Sequence, residues 1–216
     1  MKDSGIEWIG EIPEHWEVKK MKDIFQKLRT GTTPSTANQS NFDGEINWFN
    51  PGDLNRFKPE KSKKTITKKA IDRGEAKIFA GDSVMIVGIG ATSGKTSYLA
   101  ESASFNQQIT AFQSNTESNL FHAYSVSNFA TVMLETASFT TLPILNNQFF
   151  KSFFLPSPPV PEQIKIIKKI EFCSSQIQKA IDHNQRSIKK LREYRATLID
   201  SAVTGKIDVR EPVRNS

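Results

Sequence analysis

The segment "IVGIGATSGKT", Ile86 to Thr96, sets glycines, a lysine and a threonine in an order that could cradle a nucleotide phosphate. That chemistry needs G-x-x-x-x-G-K-[ST], because the first glycine opens the loop whose amides wrap the phosphates and deliver the lysine. Gly94, Lys95 and Thr96 supply the end, but Ile89 stands where the first glycine belongs, with Gly88 and Gly90 on either side of it. A phosphate loop also opens into a helix, whereas "KTSYLAESASFNQQITAF" is rich in β-branched and aromatic residues and has no helical period. The spacing predicts a glycine-rich turn between two strands.

Other catalytic arrangements fail in the same way. "NPGD" at Asn50 to Asp53 and "SPPV" at Ser157 to Val160 each lack part of the Asn/Asp-Pro-Pro-aromatic arrangement that grips the amino group of a flipped base. The triplets "EVK" and "EAK" echo the acid-x-Lys pattern of nucleases, but two-metal chemistry needs converging acids that a triplet does not supply. His15, His122 and His183 are scattered, and no Cys or His stands at metal-ligand spacing. The expectation is a chain that binds, with no catalytic residue, no metal and no cofactor of its own.

Composition points to what it binds. Lysine and arginine outnumber the acids 29 to 23, a net charge of +6, which favours an anionic partner and nucleic acid first. The single cysteine, Cys173, excludes an internal disulfide and suits a reducing compartment. "MKDSGIEWIG" has no apolar signal core, and no run approaches the roughly 18 apolar residues of a membrane span. A cytoplasmic protein without membrane contact is expected.

The elements that would position such a binder fall into two blocks. Four prolines in "FFLPSPPVPEQ" mark the junction, giving a globular domain over 1–157 and a helical segment over 158–216. In the first block strands are predicted at 46–49, 77–79, 83–87, 96–99, 108–112 and 152–155, with helices at 68–73 and 120–135. The fold class is α+β, with a mixed or antiparallel sheet followed by one long coiled-coil helix. Thr67 is the expected N-cap of the first helix, and Trp8, Trp16 and Trp48 are assigned to the core.

In the second block apolar residues recur on a seven-residue frame: Ile167, Ile181, Ile188 and Ala202 on one seam position, Ile170, Ile177, Leu191 and Leu198 on the other. A helix over about 161–203 would be roughly 65 Å long at about 1.5 Å per residue. It cannot bury its own stripe, so it either pairs with another helix or folds over the first domain. Pairing with a second copy makes Ile170, Ile177, Ile181, Asn184, Ile188, Leu191 and Leu198 the interface, with Asn184 a polar seam residue that can fix register. Gly205 should end the helix, and the tail "KIDVREPVRNS" is expected to be an extended return or disordered.

Several segments taken in order resemble a known family. "SGIEWIGEIPEHWEVKKMKDIF", "GTTPS", "INWFNPGDL", "IFAGDSVMIVGIGATSGKT", "SFNQQITAF", "LPSPPVPEQIKIIKKI" and "IKKLREYRATLIDSAVTGKI" succeed one another as in the specificity subunits of type I restriction-modification systems. The resemblance implies a non-catalytic subunit with a target recognition domain that binds half of a bipartite site in double-stranded DNA. It further implies an adenine methyltransferase partner, which would use S-adenosylmethionine, and an ATP-dependent restriction subunit. Family members carry two recognition domains joined by two antiparallel helices. This chain has one of each, so it is either a half-subunit that forms a homodimer or a piece of a longer product.

For DNA, Lys58, Lys61, Lys63, Lys64, Lys68 and Lys69 form a basic run suited to phosphates, beside Arg56 and Phe57. Thr32, Thr33, Ser35, Asn50, Thr92, Ser93 and Asn106 are short polar turn residues that could reach base edges, with Lys95 for a base or a phosphate. Two other functions stay open on the residues alone: a P-loop-like nucleotide hydrolase, and an unrelated coiled-coil regulator that binds DNA as a dimer.

Overall fold

The computed structural model describes residues 1–137 and 144–207. Short pieces open the chain: β1 (Lys2–Asp3), β2 (Glu11–Ile12), β3 (Glu17–Lys20) and α1 (Met21–Ile24). There follow β4 (Lys27–Thr30), β5 (Phe42–Phe49), β6 (Lys64–Ile66) and α2 (Lys68–Asp72), then β7 (Ser83–Val87), β8 (Thr96–Leu99), β9 (Ser104–Phe105) and β10 (Ile109–Gln113). Helices α3 (Asn119–Asn128), α4 (Ala130–Thr136) and α5 (Asn147–Ser152) precede β11 (Phe154–Ser157) and the long α6 (Val160–Val203).

The principal sheet is antiparallel, in the order β4-β10-β7-β8. Its strand β7 is buried along its whole length, and alternation divides its side chains between two cores. Val84 and Ile86 pack with Phe112, Ala123, Val126 and Phe150, while Met85 and Val87 pack with Phe49, Leu99 and Phe105. A second sheet, β6-β5-β9, is mixed, with β9 parallel to β5, and Trp48 and Ile66 sit in its core. The α+β expectation is met, and Thr67 caps α2 as expected, its side chain accepting from the Ala70 amide.

Three predicted elements differ. Residues 77–79 give only a bridge between Phe79 and Ala103. The strand expected at 152–155 lies at Phe154–Ser157, because the Asn146 side chain caps Phe149 and starts α5 just ahead of it. The single helix expected over 120–135 is two, α3 and α4, parted at Phe129 after Ser125, Ser127 and Asn128, residues that favour caps over helix interiors. Of the tryptophans, Trp48 is buried, while Trp8 and Trp16 are half-buried, Trp8 stacked on Phe153.

The chain divides into two compact units, Met1–Ile167 and Lys168–Ser216, so the first turns of α6 belong with the globular unit, beyond the proline-rich junction. The reason is a polar anchor. Gln163 is fully buried, its Oε1 accepting from the Ser118 amide at 2.9 Å and its Nε2 donating to the Pro158 carbonyl at 2.9 Å and to Glu117 at 3.0 Å. Glu117, only 9% exposed, also accepts from Lys19 at 2.9 Å, from Ser157 at 2.7 Å and from His122 at 2.8 Å. Burial by itself would raise this carboxyl, but the hydrogen bonds from His122, Lys19 and Ser157 outweigh it and hold Glu117 well below the usual carboxylate range. The same bond to Glu117 raises Lys19 against the desolvation that opposes it. On the surface nearby, Trp16 and His15 both hydrogen-bond Glu162.

In the second unit α6 continues to Val203 and Gly205 follows at φ +71°, as expected for its end. Ile177, Ile181, Ile188, Leu191 and Leu198 are exposed along it, as is Asn184, while Ile170 is half-buried. The tail expectation for 208–216 lies outside the described residues. Among the described residues no helix is long and apolar enough to cross a membrane.

Candidate nucleic-acid interface

One end of the principal sheet gathers four strand ends and the three loops that join them to the rest of the chain. β4 and β7 end there while β8 and β10 begin, in the registers Thr30 to Thr110, Ile109 to Val87 and Ile86 to Thr96. The reversal after β7 is the glycine-rich "GIGATSGK". Backbone bonds shape it: Ser93 N to Gly90 O, Lys95 N to Thr92 O, Gly94 N to Val87 O and Val87 N to Lys95 O. Gly90 at φ +110° and Gly94 at φ +83° take conformations that side chains disfavour. The segment is therefore the turn of an antiparallel hairpin, not a strand-to-helix loop, and the Lys95 ammonium is held by the Pro51 carbonyl at 3.4 Å and Asn55 Oδ1 at 3.3 Å. A nucleotide-hydrolase reading gains no support from this geometry. Calorimetry of the chain with ATP is expected to show no binding at micromolar concentration. Micromolar affinity lost in Lys95→Ala would contradict it.

Hydrogen bonds tie these loops into one rim. Thr32 N donates to Phe105 O at 2.9 Å, and Gly31 lies so close that a Cβ there would collide with the carbonyls of Phe105 and Asn106. The Thr33 hydroxyl donates to the Gln107 side chain. Asn106 Nδ2 donates to Asn50 Oδ1 at 3.0 Å and to Gln108 Oε1 at 2.9 Å, and Gln108 Nε2 reaches Ile89 O at 3.2 Å.

The sequence-predicted contacts thus sort themselves. Thr32, Thr33, Asn50, Thr92, Ser93, Lys95 and Asn106 do come together on the rim. Within it Thr33 and Thr92 are exposed, and Thr32 and Asn50 half-buried. Ser93 (7% exposed) and Asn106 (6%) are buried, and their side chains serve the scaffold: Ser93 donates to Gly90 O at 2.8 Å, and Asn106 braces Asn50 and Gln108. Ser35 lies apart, its amide donating to Glu75 at 3.2 Å. Lys58, Lys61, Lys63 and Lys64 are all exposed: the Lys58 ammonium lies 5.7 Å from the Tyr98 ring centre, the Lys63 amide donates to Asp53 at 3.3 Å, and Lys64 pairs with Trp48 across β6 and β5.

Sequence reasoning missed Gln107, Gln108, Asn146 and Asn147, which line a cleft on the rim with Ile89 and Ile144. "NQQ" flanks a strand and was legible as a turn next to the Asn106 already named. Asn146 and Asn147 arrive from far along the chain through the bridge of Ile89 to Ile144 and the bond from Leu145 N to Gly88 O at 2.7 Å, and no local pattern announces that pairing. Among the described residues no group of three or more His, Cys, Asp or Glu could hold a metal ion.

Loops raised on a rigid strand scaffold are where binding and catalytic residues concentrate. The chain matches the type I restriction modification DNA specificity domain over residues 13–191, most of its length, and it belongs to that family. It is 25% identical over 183 residues to the specificity subunit of the type I restriction enzyme MjaIX of Methanocaldococcus jannaschii, covering 82% of this chain and 42% of that protein. Its fold is similar, with a TM-score of 0.72 and 14% identity, to a chain solved in a study of complex assembly and conformational transition of the type I R-M system, covering 89% of this chain and 47% of the other. The HsdS subunit from Thermoanaerobacter tengcongensis aligns with a TM-score of 0.58 and 15% identity, covering 92% and 47%. The chain spans less than half the length of these relatives.

Proposed function

We propose that the chain binds double-stranded DNA and reads one half of a bipartite target, without catalysing a reaction itself. The observation that carries this reading is the rim: loops locked to one another by hydrogen bonds, mostly from main chain and buried side chains, with Thr33 and Thr92 exposed on it. Methylation and cleavage would then fall to partners, an adenine methyltransferase using S-adenosylmethionine and an ATP-dependent restriction subunit, and two copies of the chain would pair through α6. Capture of an adenine methyltransferase by the tagged chain from its native cell supports this reading, and an unrelated coiled-coil regulator would capture none.

The exposed lysines supply phosphate contacts in this reading. Lys63→Ala with Lys64→Ala is expected to weaken binding to all duplexes alike and to flatten the salt dependence by up to about two units of slope, as two lost phosphate contacts require. Titration of a fluorescent duplex across a salt series measures it. An unchanged slope would place these lysines away from DNA.

A further inference from the structure

The amide-lined cleft on the rim has a chemistry that neither the family nor the lysine run specifies. Its volume is about 180 Å³, and none of its lining side chains carries a charge, so it gives a phosphate no opposite charge to pair with. What it offers is carboxamides beside exposed aliphatic surface. Ile89 and Ile144, 44% and 48% exposed, face solvent as a bridged pair where burial is the norm for isoleucine.

The amides differ in what they have left to give. Gln108 is engaged at both side-chain atoms, with Asn106 and with Ile89 O. Gln107 has its oxygen taken by Thr33, and Asn146 has its oxygen taken by the Phe149 amide at 2.8 Å. Asn147 is exposed, and among the described residues both its Oδ1 and its Nδ2 lack a partner. A carboxamide with acceptor and donor both open matches the edge that adenine shows in the major groove, where N6–H donates and N7 accepts. The thymine of the same pair places its methyl group on that edge, and exposed aliphatic carbon is what a methyl group packs against.

We propose that this cleft reads one A·T base pair from the major groove, Asn147 bonding adenine N6 and N7 while Ile89 and Ile144 meet the thymine methyl. The assignment rests on the reading of the chain as a DNA binder. It makes Asn147 a specificity-determining residue, unlike the lysines, whose contacts carry no sequence information.

The test uses the full chain and a pool of randomised duplexes at low salt, with enriched sequences compared between wild type and Asn147→Ala. The expected result is that the wild type enriches an A·T pair at a position where the variant is indifferent, with the other enriched positions unchanged. On that enriched duplex, Asn147→Ala should lose roughly 5- to 100-fold in affinity. Replacing the adenine with 7-deazaadenine should weaken the wild type and leave Asn147→Ala unaffected. Uracil in place of the thymine should weaken the wild type but not Ile89→Ala with Ile144→Ala. If wild type and Asn147→Ala enrich the same motif with the same strength, this assignment fails and the DNA reading stands. If the wild type retains no duplex at all, the DNA reading fails and takes the assignment with it.

Discussion

Ile181→Glu combined with Ile188→Glu is expected to abolish self-association of the chain. Both isoleucines stand exposed on the same seam of α6, with Ile177, Leu191 and Leu198 on the other seam, and an apolar stripe of this length on a helix surface marks a partner site. In a helix pair each glutamate would be carried unpaired into the apolar seam. Burial of an unpaired charge costs several kcal/mol, so four of them, two from each chain, should weaken the dimer by roughly a thousandfold or more. Light scattering of wild type and variant measures it. A wild-type chain that stays monomeric, alone and with the methyltransferase bound, would sink the self-pairing proposal. If the pairing holds, an antiparallel arrangement is two-fold symmetric, and symmetry in the protein requires an inverted repeat in the DNA. Mapping of methylated adenines should then return a split palindrome. A non-palindromic split site would mean that another chain supplies the second half.

The second large effect lies in the polar anchor at the root of α6. Glu117→Ala removes the acceptor shared by Lys19, His122, Ser157 and Gln163 and leaves the fully buried His122 and Gln163 without it. Breaking a buried ionic cluster from one side costs about 3 kcal/mol, which for a chain of this size lowers the melting temperature by roughly 6–12 °C. The pH dependence has a definite sign. Because the folded state holds the Glu117 carboxyl below its ordinary value of 4.5, its contribution is complete above that value and is lost as the pH falls below it. Urea unfolding of the wild type should therefore weaken between pH 6 and pH 3 more than that of Glu117→Gln, which cannot titrate at this position. Parallel curves for the two would show that other groups govern the acid response.

The parts of the molecule that were legible in the sequence are those fixed by local rules. β7 and β8 fall at the predicted residues because a β-branched run, a glycine-rich turn and a second such run need nothing from elsewhere. Helix α2 was readable from Thr67 and Gly74, and α6 from its seven-residue period. What stayed hidden depends on contacts distant in sequence. Asn106 read as an outward turn residue, yet its bond to Asn50 reaches across 56 positions and turns it inward. Asn147 read as nothing, because its place beside the hairpin turn is decided by Ile144 and Leu145 pairing with Ile89 and Gly88. Ser93 shows the same limit at short range: a serine in a turn serves a ligand or the turn itself, and only the geometry of Gly90 decides between them.

The rim has one more property, seen in how unevenly it would accept change. Its shape is written in main-chain bonds and in a few positions without latitude: Gly31 pressed against two carbonyls, Gly90 and Gly94 in conformations that side chains resist, Asn106 bracing two neighbours. Thr33, Thr92 and Asn147 project from that framework without being needed to form it, apart from the single bond from Thr33 to Gln107. Substitutions at exposed sites of this kind usually move stability by no more than about 0.5 kcal/mol. Such a surface can drift through many side-chain alphabets while the chain beneath it keeps folding, so new preferences could arise one residue at a time with every intermediate still a stable protein.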